Sequence, residues 1–113
     1  MIAVIFELTP KLRHREEYFQ LAASLKQSLA SVDGFISIER FQSLADQDRY
    51  LSLSFWRDET AVQIWREQLC HRSAQQQGRD YIFADYRLRV ANVLRDYSLE
   101  NRQQVPARSP DNR

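Results

Sequence analysis

Residues 50–71, YLSLSFWRDETAVQIWREQLCH, read as a strand that turns at once into a helix. Leu51, Leu53 and Phe55 alternate with Tyr50, Ser52, Ser54 and Trp56, which is the two-residue period of a strand. Asp58 comes next, and its carboxylate can accept the free amide hydrogens of a first helical turn. Glu59 then falls where the helix dipole favours negative charge. Ala61, Val62, Trp65 and Leu69 recur at three- and four-residue steps and give the helix one apolar face. The spacing predicts a helix over 58–69 and a separate helical piece over 71–77, closed by Gly78. Trp65 and His71 are six positions apart, about 120° around an unbroken helix, so they address one pocket only if the chain breaks between them. A break near Leu69 and Cys70 is therefore expected.

The flanking segments fit the same plan. Residues 2–9, IAVIFELT, form a first strand, with Ile2, Val4, Phe6 and Leu8 on one side and Ala3, Ile5 and Glu7 on the other. Pro10 ends it, because proline cannot donate to a ladder. Residues 14–32 form a helix whose stripe is Tyr18, Leu21, Ala22, Leu25, Leu29 and Val32, stopped by Asp33 and Gly34. Residues 35–43, FISIERFQS, form a second strand, and the polar turn 44–48 joins it as a hairpin to a third strand over 49–56. The last strand spans 83–97. The order is β-α-β-β-α-β, the split βαβ arrangement of an α+β, ferredoxin-like fold, with an antiparallel sheet and helices on one face. The expected domain is 1–97, followed by a polar tail over 98–113.

Two features imply a second copy of the chain. A fifteen-residue extended strand spans roughly 50 Å, whereas a compact domain of this size has a radius of gyration of about 13 Å. Either a bulge breaks that strand, or its end leaves the domain and pairs with a neighbour. The sheet is also apolar on both faces, with Ala3, Ile5, Phe35, Phe41 and Trp56 expected opposite Val4, Ile38 and Leu53. A homodimer covers both. The tail, which has Pro106, Pro110 and little apolar surface, is expected to be mobile or to lie along the partner.

Composition narrows the function. Sixteen basic against fifteen acidic residues leave a net charge of +1. That balance argues against nucleic acid, which needs a concentrated basic surface. The N-terminus is apolar first and basic afterwards, the reverse of a secretory signal, and its apolar run is too short to span a membrane. Cys70 is the single cysteine, so no internal disulfide forms and a cytoplasmic location is expected. Gly34 and Gly78 are the only glycines, too few for a phosphate cradle. Cys70 and His71 are adjacent and point in different directions on a helix, so they chelate a metal poorly. His14 opens the first helix and is expected to be exposed.

Several residues have two readings. His71 either bridges the expected break or lines a pocket as a base, removing a proton from a phenol or enol; its ordinary pKa of about 6.5 suits that work. Glu7 interrupts an apolar face, either as a rim carboxylate beside an arginine or as a pocket acid. Trp65 is a core anchor or a stacking wall for an aromatic ligand. Phe55, Phe83 and Tyr86 are core or pocket lining.

The runs GFISIERFQS, LSLSFWRDETAVQIWRE, HRSAQQQGR and FADYRLRVANVLRDY together resemble the antibiotic biosynthesis monooxygenase domain family, over residues 1–97. The resemblance implies small ferredoxin-like chains that dimerise through their sheets into a barrel, each keeping a pocket between sheet and helices. It implies oxidation of an aromatic or quinone-like molecule by molecular oxygen, with no metal, flavin or other cofactor; some relatives instead cleave haem. The alternative within the same fold is a non-catalytic dimeric module that binds a small apolar ligand. The haem-cleaving group has an asparagine on the first strand, a tryptophan on the second helix and a histidine ten residues after it. Trp65 matches, but Gln75 stands at the histidine position and Glu7 near the asparagine, so the resemblance does not extend to haem degradation.

Overall fold

The computed structural model describes residues 1–75 and 82–107, with side chains described for all of these except 70–75. Four strands, β1 (Ile2–Pro10), β2 (Phe35–Gln42), β3 (Tyr50–Trp56) and β4 (Phe83–Asn92), alternate with two helices, α1 (Arg15–Leu29) and α2 (Glu59–Gln75). The sheet order is β2-β3-β1-β4, and every neighbouring pair is antiparallel. This is the expected ferredoxin-like α+β fold, with both helices on one face of the sheet. A 3-10 turn over Leu12–His14 precedes α1.

The turns form for identifiable reasons. Gly34 has φ +87°, which a side chain disfavours, and a Cβ there would sit 2.6 Å from the Cβ of Ala61. Its carbonyl accepts the amide hydrogen of Arg57 at 2.7 Å, and Arg57 grips both carboxylate oxygens of Asp33 at 3.1 Å. The entries to β2 and α2 are thereby tied together. Asp58 caps α2 as expected, accepting the amide hydrogen of Ala61 at 2.9 Å.

Three expectations are corrected. First, α2 runs unbroken from Glu59 to Gln75, without a stop at 69 or a separate piece from 71. No glycine or proline interrupts this stretch, and Glu67, Gln68, Leu69, Arg72 and Ala74 all favour helix. Gly78 and the end of the expected 71–77 piece lie outside the described residues. Second, β4 has ten residues and stops at Asn92 rather than Tyr97. Its pairing with β1 closes there: Asn92 pairs with Ile2, and the Met1 carbonyl takes the amide hydrogen of Val93 at 3.0 Å. The other end has a register shift at Thr9 and Pro10.

Third, the two faces of β3 are the reverse of those expected. Val4 pairs with Ser54 and Ser54 with Ile38, so Ser52, Ser54 and Trp56 face the helices. A register shift between Phe35 and Ser37 turns Phe35 to the same side, where its ring meets Trp56 edge-on at 5.3 Å. Leu51, Leu53 and Phe55 instead share the outer face with Ala3, Ile5 and Phe41. This register buries one indole against α2, the side chain that removes the most surface from water.

Two buried clusters anchor the helices. Leu8, Tyr18, Ala22, Tyr50, Ile82 and Phe83 pack at one end, and Leu29, Trp56, Ala61 and Trp65 at the other. The outer face carries no helix. The radius of gyration is 16.4 Å, above the ~13 Å of a compact domain of this length. The tail, expected to be mobile, makes local bonds over its described part: Asp96 donates its amide hydrogen to Gln104 at 2.7 Å, and Asn101 to the Ser98 hydroxyl at 3.0 Å.

Candidate active site

Between the two clusters the helices stand off from the sheet and leave a cavity of about 600 Å³. Its floor is the inner face of all four strands, and its walls are the apolar stripes of α1 and α2. The space exists because small side chains lie beneath it. Ser52 and Ser54 occupy positions of β3 where leucines would fill the gap. Val4 and Phe6 from β1, and Leu21 and Leu25 from α1, supply the apolar lining. Tyr86, Leu88 and Val90 extend the floor along β4, the edge strand, where they are roughly half exposed at 55%, 50% and 49%. The helix layer leaves this edge open.

Polar groups in the chamber are few. Tyr18 is buried, and burial pushes its phenol above the usual range, with the nearby Arg40 guanidinium offsetting part of the rise. Tyr18 therefore stays protonated at neutral pH. The Nη2 of Arg40 donates to the carbonyl of Ala22 on α1 at 3.1 Å. Glu59, Gln63 and Arg66 line the α2 side. None of the described residues lining the cavity is a histidine, cysteine or methionine, so these residues offer haem no such ligand.

The candidates named from sequence separate into two groups. Trp65, Phe83 and Tyr86 line the cavity together. Trp65 is both anchor and wall: it is 8% exposed and its ring lies 6.4 Å from that of Trp56. Phe83 meets Phe6 at 5.6 Å and Tyr18 at 6.0 Å. Phe55 and Glu7 are on the outer face and not in the cavity, because each is in antiparallel register with other outward residues. Glu7 accepts from Arg49 at 2.9 Å and from Arg89 at 3.1 Å. The Arg49 hydrogen bond, with the charges of both arginines, holds its carboxyl below the usual range. It has the nearby arginines of the first reading, but it is on the central strand β1 and not at a rim. The side chain of His71 lies outside the described residues, and the helix break that was to bring it to the pocket is absent.

Tyr18, Arg40, Ser52 and Ser54 are pocket residues that the sequence reading missed. Arg40 carried a signal: it is in phase with Ile38 on the inner side of β2, a charge where the strand should be apolar. The serines carried none, since alternation put them with Trp56 on the face opposite Leu53, away from the helices.

The comparisons with known proteins agree with this architecture. The model of the family described as antibiotic biosynthesis monooxygenase matches residues 1–77, and the chain belongs to that family. It is 42% identical over 114 residues to the jasmonate monooxygenase ABM of Pyricularia oryzae (strain 70-15), a match covering 98% of this chain and 53% of that protein. The chain thus spans about half the length of that relative. Among solved structures, Rv0793 from Mycobacterium tuberculosis superposes with a TM-score of 0.73 at 18% identity, covering 86% of this chain and 98% of that one. The haem degrader MhuD from the same organism, solved with two haems in its active site, gives 0.67 at 14% identity, covering 87% and 100%. These two likenesses show the shared fold.

Proposed function

We propose that this chain is a monooxygenase that oxidises a small aromatic or quinone-like molecule in the cavity between sheet and helices, without metal or flavin. The observation that carries the reading is the cavity itself, about 600 Å³, apolar, floored by strands and open along β4. That is the size and character of a small-molecule site. Family membership and the named activity of the fungal relative support oxygen chemistry there.

For an activated methylene the reaction balances without an outside reductant. The substrate loses a proton, its carbanion reduces oxygen, and R₂CH₂ plus O₂ becomes R₂C=O plus water. One oxygen atom enters the product and the other leaves as water. Trp65 and Phe83 would stack the ring system, and Tyr18 would hydrogen-bond the developing oxyanion. The working unit is a homodimer in the cytoplasm, whose second copy covers Ile5, Leu51, Leu53 and Phe55 on the outer face. Oxygen uptake with a panel of phenols, quinols and jasmonate tests the reading: uptake matched by one oxygen atom per product supports it, and no uptake with any of them opposes it.

One observation favours the alternative, a module that binds a small ligand without turnover. Glu7, one of the two expected proton-handling groups, faces away from the cavity. Glu59 is the one carboxylate among the described lining residues. If Glu59→Gln and His71→Ala both leave uptake unchanged, neither residue removes the proton.

A further inference from the structure

The cavity wall carries a positive charge that the described chain does not neutralise. Arg40 is half-buried on β2, directly across the ladder from Ser52. One hydrogen of its guanidinium goes to the Ala22 carbonyl, and the guanidinium also bonds the neutral phenol of Tyr18. Its Nε is buried and meets no acceptor. Among the described residues no carboxylate comes within ion-pairing distance of it. The chain treats other arginines differently: Arg49 and Arg89 share Glu7, and Arg57 holds Asp33 and Asp58. Of the ionisable residues lining the cavity apart from tyrosine, Arg40 and Arg66 are positive against the single negative Glu59.

A half-buried guanidinium with an unmet donor is costly in an apolar wall unless an anion meets it. We infer that the ligand of this cavity carries one carboxylate on an otherwise apolar body, the carboxylate meeting Arg40 and Ser52 while the body fills the chamber along Leu25, Val62 and Leu88. The planar fork of arginine matches a carboxylate with two parallel hydrogen bonds. A phosphate monoester fits less well, since it brings up to two charges and this chain has no glycine-rich backbone cradle to share them. This inference deepens the proposed function and takes from it that the cavity is the substrate site.

The test is a matched pair of probes, 1-naphthylacetate and its uncharged amide, titrated into the full chain by calorimetry. The acid should bind about tenfold or more tightly than the amide, the scale of a hydrogen bond to a charged group. Arg40→Gln should abolish that preference, and an unchanged far-ultraviolet circular dichroism spectrum and thermal midpoint report that the variant is folded. Arg40→Lys should fall between, keeping charge without the fork. Equal binding of acid and amide by the unaltered chain overturns the inference, as does a preference that survives in both variants or an absence of binding by either probe. Because no step uses oxygen, the two proposals fail separately. Acid-selective binding without oxygen uptake removes the monooxygenase reading alone, and uptake with uncharged phenols beside equal probe binding removes this inference alone.

Discussion

The indole nitrogen of Trp56 donates to the hydroxyl of Ser54, two residues earlier on the same strand, at 2.9 Å, and both side chains are buried beneath the helices. This bond shows why β3 turns its serines inward. A buried indole N–H needs an acceptor, and an inward strand position supplies one without filling the cavity alongside.

Ser54→Ala leaves that N–H unmet and should destabilise the chain by about 1–3 kcal/mol. Trp56→Ala empties the centre of the second cluster and should cost about 3–5 kcal/mol. Urea denaturation of the two variants checks both values. A Ser54→Ala variant as stable as the original would mean that the bond contributes nothing.

Gly34→Ala should destabilise by about 1–3 kcal/mol, because alanine is strained at positive φ and its Cβ would press on Ala61 at 2.6 Å. Pairing it with Ala61→Gly separates the causes. If the second substitution restores much of the loss, steric contact dominates; if it restores none, backbone strain does.

Glu7 makes stability depend on pH, with a sign set by its arginines. Its folded pKa lies below the ordinary 4.5, so its contribution is fully present above that value and drains away as pH falls through the folded pKa. Asp33 and Asp58 are lowered too, by Arg57 and by the Ala61 amide respectively, and act in the same direction. Glu7→Gln should therefore flatten, without abolishing, the fall in denaturation midpoint between about pH 5 and pH 3. An unchanged pH profile in that variant would show that the Arg49 and Arg89 contacts carry no stability.

The outer face predicts the assembly state. Sedimentation at low micromolar concentration should give one species near twice the 13.4 kDa chain mass. Leu53→Glu, which puts a charge amid Ile5, Leu51 and Phe55, should shift it to monomer. A folded monomer in the unaltered chain would leave that face unexplained.

The fold was legible because its signals are local and redundant. The capping Asp58, the stop at Gly34 and the alternation over residues 2–9 each point to one element, and together they define the order. The site was less legible because it depends on register. Whether Ser54 or Leu53 faces the helices is decided by pairing with Val4 and by the shift at Phe35, neither of which alternation reveals. The same inversion removed Phe55 from the pocket and brought in Ser52 and Ser54. Glu7 broke an apolar pattern and so drew notice, but its arginines come from β4 and from the residue before β3. The end of β4 followed from where β1 begins, a long-range fact. The helix break was expected only to let His71 reach Trp65, and nothing in the local sequence called for it.

The central claim is that oxygen chemistry takes place in the cavity. The most direct measurement is incorporation of ¹⁸O from labelled oxygen gas, with a chelator present and no flavin added, by the unaltered chain and by Leu25→Trp, which fills the space. The account predicts one labelled atom per product in the unaltered chain and a loss of about 100-fold or more in Leu25→Trp at an unchanged thermal midpoint, as expected when a positioned site is blocked. Label entering product equally well in Leu25→Trp, or no label in any product, would contradict it.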